Sequence, residues 1–231
     1  LVLNFTPAIS VTVIDIEKRE VLNEIPIGGC NMIYPSGKRG FSSLCGDGTL
    51  MSVSLDQQGN IVDRTRSDVF FNPDEDPIFD KPVYLDGTAF FPSFAGKMQP
   101  IEMSKTPTIL PTWSLVDSQA AIENWRPSGW QIISGSDGLL YVLMQKNGFP
   151  GSHKSGGQEV WVFDPSQKKR IRRILLNSPG FSIEVTPGKS PLLAVTGTDM
   201  SIWIYDTDGK LQRNISVGAP SAMPIMLNAK R

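Results

Sequence analysis

The sequence predicts an all-β chain assembled from repeated four-stranded units, and three observations carry that reading. Short apolar runs with strand periodicity are separated by turn formers throughout. One strand–turn–strand pattern, clearest in Gln158 to Leu176, recurs along the chain. The residues ending its first strand, Asp15, Asp56, Ser104, Asp164 and Asp206, are spaced 41, 48, 60 and 42 residues apart. A period of roughly 40 to 50 residues with about four strands per repeat is the signature of β-propeller blades. The whole chain, 1–231, is accordingly read as a single propeller domain of about four and a half to five blades, with insertions at 114–125 and 145–158 stretching the two long intervals.

Leu1 to Asn4 and Val11 to Ile16 give two strands, Val21, Leu22 and Ile25 a return strand, and Gly28-Gly29 the end of the first blade. These leave no room for a first strand, so the chain is expected to begin in mid-blade and to be part of a longer one. Asn31 to Tyr34, Gly40 to Leu44, Leu50 to Leu55 and a strand from Ile61 form the next blade, with turns at Pro35-Ser36-Gly37 and Gly46-Asp47-Gly48. Cys30 and Cys45 sit at the ends of its first two strands. On spacing alone they suit either a disulfide or a reduced core pair.

Phe70 to Pro82 reads as an acidic, proline-punctuated loop, without the glycine and terminal glutamate of a calcium loop. A blade from Val83 to Trp113 follows, with Phe90, Phe91 and Phe94 on its second strand. The first insertion, Ser114 to Trp125, is free of proline and glycine and predicts a short helix capped by Ser114 or Asp117. The next blade starts within Trp130 to Met144; the second insertion, Gln145 to Gln158, is polar and carries the single histidine, His153, read as an exposed loop residue. Lys168 to Arg173 reads as a solvated edge strand. A last full blade spans Phe181 to Val217, and Ser221 to Leu227 begins one more strand.

With 22 basic and 23 acidic side chains the net charge is −1, which gives no electrostatic case for nucleic acid. No run approaches the ~20 apolar residues of a membrane span. The common catalytic signatures, the nucleophile elbow, Walker loop and zinc-protease motif, are absent from the sequence. One histidine and two cysteines do not make a zinc site of ordinary ligand count. No catalytic, cofactor-binding or metal residue is assigned.

Four stretches carry a resemblance: GGCNMIYPSGKRGFSSLCGDGTL, NWRPSGWQ, SHKSGGQEVWVFDPSQKKRI and SPLLAVTGTDMSIWIYDTDGK. Together, and collinearly over nearly the whole chain, they resemble the heavy chain of the methylamine and aromatic amine dehydrogenase family. That resemblance implies a seven-bladed propeller in a periplasmic heterotetramer of two heavy and two light subunits. The light subunit would carry tryptophan tryptophylquinone and the catalytic aspartate, oxidise primary amines to aldehyde and ammonia, and pass electrons to a blue copper protein. It also implies a Cys30–Cys45 disulfide. Trp125, Arg126, Trp130, His153 and Lys154 become the candidate contact surface for the light subunit. The five tryptophans belong to strands and loops of the propeller and not to the cofactor, and the substrate, methylamine or an aralkylamine, is left open. A reading from another class is a periplasmic propeller that only binds, without a light subunit.

Overall fold

The computed structural model describes residues 1–217 and 226–229. It is all-β apart from one short α-helix and one 3₁₀ turn among the described residues. Strands β1 (Val2–Asn4), β2 (Ser10–Asp15) and β3 (Glu20–Pro26) form a three-stranded antiparallel sheet in chain order. Strands β4 (Cys30–Pro35), β5 (Gly40–Cys45), β6 (Leu50–Leu55) and β7 (Ile61–Arg66) form a four-stranded meander. Next come β8 (Val83–Leu85), β9 (Thr88–Pro92), β10 (Lys97–Glu102) and β11 (Thr108–Ile109), with β12 (Trp113–Ser114) pairing elsewhere on β10.

The remaining strands are β13 (Arg126–Pro127), β14 (Ile133–Ser136), β15 (Leu139–Gln145), β16 (Gly157–Asp164), β17 (Lys169–Val185), β18 (Leu192–Gly197), β19 (Ser201–Asp206) and β20 (Leu211–Ser216). They are continuous as one eight-stranded sheet only because β17 is 17 residues long and serves two meanders. Its residues 169–175 pair with β16, and its residues 180–185 pair with β18. Split there, the sheet is two antiparallel meanders of four layers each, the first opening on β13 and β14, which both pair with β15; such a meander is the unit from which β-propellers are built. Of the strand expected at Ser221 to Leu227, residues 221–225 lie outside the described residues, and Met226 and Leu227 are not in a strand.

The meanders share a burial gradient that follows from strand position. In the second, β5 and β6 are almost wholly buried whereas β7 is exposed along its length; β20 is likewise exposed. A central strand packs both faces, and an outer strand can leave polar residues in water.

The residues form two compact units. One, residues 1–80, 87–89 and 100–110, centres on Val11, Ile25, Phe41, Met51 and Val53. The other, residues 81–86, 90–99 and 111–231, centres on Phe90, Met98, Trp113, Val142, Trp161 and Phe163.

The repeat anchors have a shared chemistry. At the end of β2 Asp15 Oδ1 accepts from the amides of Glu17 and Lys18, both at 3.0 Å. Asp56 Oδ1 accepts from Gln58 and Asn60 at 2.9 and 2.8 Å, and Asp206 Oδ1 from Asp208 and Lys210 at 3.1 and 2.9 Å. Asp164 accepts from Ser166 and Gln167. Each carboxylate takes up amides that the hairpin turn leaves without a backbone partner. The third repeat uses a hydroxyl in the opposite sense, Ser104 Oγ donating to the Thr106 carbonyl.

In the first insertion, α1 (Ser118–Ile122) is the expected short helix, with Asp117 as its cap accepting from the Ala120 amide at 2.8 Å. Cys30 and Cys45 are direct cross-strand partners on β4 and β5 and are joined as a disulfide 2.05 Å long. Both are buried within the first unit's core.

Two predictions follow from these local devices. Closing a loop across a sequence separation of 15 stabilises by about 3 kcal/mol in the chain-entropy account. The paired change Cys30→Ala with Cys45→Ala should therefore lower stability by about that amount in chemical denaturation. The turn amides hold the Asp15 and Asp56 carboxyls below their ordinary 3.8, and the Ser166 hydroxyl does the same for Asp164. Groups lowered in the folded state contribute stability above the unfolded value and lose it as pH falls through the folded one. Asp56→Ala should thus melt lower than the parent at neutral pH, and the gap should close as the pH drops below 3.8.

Candidate functional site

In the run Asn124 to Gln131, residues from Trp125 onward are each held by a nameable contact. Asn124 is in the left-handed region at φ 51°. Trp125 turns inward, 4% exposed, with its indole 5.0 Å from that of Trp161. Arg126 and Pro127 pair with Gln145 and Met144 of β15. Ser128 donates its hydroxyl to the Ser152 carbonyl at 2.8 Å, and the Gly129 amide donates to the His153 carbonyl at 2.8 Å. The Trp130 amide donates to the Phe181 carbonyl at 2.7 Å.

Gln131 closes the run. Its side-chain nitrogen donates to the carbonyls of Ile183 and Leu227 at 3.0 and 3.1 Å, and its side-chain oxygen accepts from the Leu227 amide at 3.1 Å. One amide group therefore ties the segment at Leu227 to β17.

Gly129 is where the path needs glycine. Its φ is +131°, and a Cβ there would stand 2.5 Å from the Phe181 carbonyl oxygen and 2.9 Å from Leu143 Cδ2. Gly148 serves the neighbouring side chain: a Cβ on it would lie 2.7 Å from Arg126 Cδ, so its absence lets the arginine stem pass.

These constraints assemble a patch of stacked cations and rings. The Arg126 guanidinium lies over Phe94, 4.8 Å from the ring centroid, and Phe94 meets His153 edge-on at 5.7 Å. Lys81 Nζ lies 4.2 Å from the centroid of Trp130, whose side chain is 47% exposed. Lys154 is exposed one residue past His153, and Phe149 is exposed at the tip of the same loop. That loop is set by Ser152, which accepts from the Phe149 amide through Oγ and donates its own amide to the Phe149 carbonyl. Of the patch's two rings under a cation, Trp130 is exposed and Phe94 half-buried; aromatic rings with guanidinium and ammonium groups over them are side-chain types that anchor protein interfaces.

Of the five expected contact residues, Arg126 and His153 meet across Phe94. Trp130 and Lys154 present exposed side chains from the two segments that the Gly129–His153 hydrogen bond joins. Trp125 is a correction: it is buried, with its ring packed in the second unit's core. His153 is half-buried against Phe94, not the exposed loop residue expected. Phe94 and Lys81 were missed as site residues, because their contacts with Arg126 and Trp130 are far apart in sequence.

The Trp125–Trp161 pair has a defined setting of its own. Trp125 donates to Glu123 and Trp161 to Glu159, at 2.8 and 2.7 Å. Arg173 lies over both rings while binding Glu159 through two nitrogens. Hydrogen bonds from Gln119, Trp125 and Lys146 hold the Glu123 carboxyl down at about 2. Both indoles are buried, so this pair does not fit a tryptophan-derived quinone that must receive a substrate amine. The basic strand is likewise more engaged than a solvated edge: Arg170, Arg172 and Arg173 pair with Asp117, Asp208 and Glu159. Among the described residues no group of three or more His, Cys, Asp or Glu is placed to hold a metal ion.

Fold and site together define a protein built of antiparallel meanders that carries a surface patch of stacked cations and rings. Comparison with known proteins gives the family. A family described as methylamine dehydrogenase heavy chain matches residues 1–223. The chain is 27% identical to the methylamine dehydrogenase heavy chain of Methylobacillus flagellatus over 208 residues, 87% of this chain and 52% of that one. It is 26% identical to the heavy chain of Methylophilus methylotrophus over 219 residues, 91% of this chain and 53% of that one. Among solved structures, BamB from Moraxella catarrhalis aligns with a TM-score of 0.48 at 12% identity, over 90% of this chain and 70% of that one, a likeness too slight to argue from. The chain belongs to the methylamine dehydrogenase heavy chain family, and it spans about half the length of the curated relatives it matches.

Because Gly129 has both a positive φ and two close neighbours, Gly129→Ala should destabilise by more than about 1 kcal/mol. A thermal melt measures this, and Trp130→Ala, whose ring is exposed, should melt as the parent does.

Proposed function

We propose that this chain is part of the heavy subunit of a quinoprotein amine dehydrogenase and that it seats the catalytic light subunit. The observation that carries the reading is the family match running through residues 1–223. The cation–aromatic patch supports it, since it is built by the motif segments Asn124–Gln131 and Ser152–Lys154.

In this reading tryptophan tryptophylquinone and the catalytic aspartate reside in the light subunit. The quinone there supplies the two-electron oxidation of a primary amine to aldehyde and ammonia, and the electrons pass to a blue copper protein. The present chain contributes orientation and exclusion of water at the joint. Trp130 and the Phe94–Arg126–His153 stack form the anchor, and Lys154 the charged rim. Two heavy and two light subunits assemble in the periplasm, a compartment in which the Cys30–Cys45 disulfide persists. The sheets act as blades of one seven-bladed propeller domain.

Coexpression with a cognate light subunit tests this. The parent chain should co-elute with the light subunit and support amine-dependent dye reduction. Trp130→Ala combined with Lys154→Glu should weaken association about tenfold or more with an unchanged melting temperature. Absence of both complex and dye reduction would leave a propeller that binds some other partner.

A further inference from the structure

A second concave site lies in the first unit, remote in sequence from the contact patch. It is a groove of about 430 Å³ lined by Ser36, Lys38, Arg39, Ser54, Leu55 and Lys105, with Val62 and Gly37 completing the wall. Three of these residues are cations, and no carboxylate is among them. Lys38 and Lys105 make no ion pair among the described residues, whereas several other basic side chains of the chain do. The Arg39 Nε donates to the Asp56 carbonyl at 3.1 Å, which anchors the guanidinium by one edge and leaves its terminal nitrogens for another acceptor.

Backbone geometry brings the lysines together. Gly37 is at φ +61°, its amide donates to the Met103 carbonyl at 3.1 Å, and a Cβ on it would stand 2.9 Å from Lys105 Cα. Only glycine lets the turn between β4 and β5 close on the turn after β10. Unpaired cations brought together this way repel one another, which an anion between them relieves.

The groove also holds a neutral hydroxyl, that of Ser36. Ser36 is 4% exposed, and its Oγ accepts from Ser42 Oγ at 3.1 Å. The Ser42 and Ser52 hydroxyls share a hydrogen bond of 2.9 Å in which either can donate. The three serines thus form a chain of hydroxyls. It ends on the Ser36 hydroxyl, which lines the groove with its own proton available.

We propose that this groove binds a multiply charged oxyanion of the phosphate class, held by Lys38, Arg39 and Lys105 with the Ser36 hydroxyl as a further donor. Guanidinium and ammonium groups meeting a hydroxyl are the donor set that such an anion takes. Leu55 and Val62 give the wall an apolar part on which the organic portion of a phosphate monoester can rest.

Calorimetric titration of the chain at low ionic strength with inorganic phosphate, pyrophosphate and phenyl phosphate tests this. All three should bind, pyrophosphate more tightly than phosphate because it carries more charge. Phenyl phosphate exceeding phosphate would point to an ester as the source, and the reverse order to the free anion. Lys38→Gln and Lys105→Gln should each weaken pyrophosphate about two- to fivefold, the paired variant about tenfold, and Lys105→Arg little. Both lysines are exposed, so these variants keep the fold; Lys168→Gln with Lys169→Gln should change nothing. No measurable binding, or equal affinity in the paired Lys38 and Lys105 variant, would overturn the proposal.

Discussion

The hydrogen bond from the Gly129 amide to the His153 carbonyl is the contact on which the second unit's surface depends. It joins two largely irregular segments, the run after α1, whose one regular piece is the two-residue β13, and the loop before β16, which holds the short 3₁₀ turn Ser152–Lys154. Backbone groups in such segments must find partners when buried, and here they find each other. The consequence is geometric: Ser128, Gly129 and Trp130 are fixed in turn by Ser152, His153 and Phe181, so neighbouring side chains are sent to opposite destinations. Trp125 enters the core and Trp130 the surface, five residues apart in one motif.

Rigidity of this kind suits the seating role proposed for this surface. Side chains held by packing lose less freedom on binding than loose ones. Arg126 is held between the notch left by Gly148 and the face of Phe94, and the loop carrying His153 is cinched by Ser152. The core beneath is equally ordered, with Arg173 lying over two indoles and bonded to Glu159. The blades supply fixed strands, the strands fix two largely irregular segments, and the segments present rings and cations.

Much of the fold was legible in the sequence because its rules are local. A period of two, an aspartate ending the third strand and turn residues after it locate most strands, and Asp117 marks α1 through its cap. Cys30 and Cys45 were legible as neighbours because the strands that carry them are joined by a short turn. The shared strand β17 was harder, since it reads as two strands separated by Ser178 and Pro179 and only its pairing shows it to be continuous. The site was legible as a set of segments but not as a set of contacts. Phe94 and His153 are far apart in the chain, and nothing local says that they touch. Trp125 and Trp130 have similar surroundings in sequence, and the difference between them is set by the left-handed turn at Asn124 and the glycine at 129. The division into two compact units was not legible at all, because it follows contacts and not composition.

The most direct test of the account is amide hydrogen exchange on the chain with and without the light subunit. The account predicts added protection concentrated in residues 126–131 and 149–155, with the exposed outer strand β20 unchanged. Protection confined to other segments, with these two unaffected in a stable complex, would contradict it.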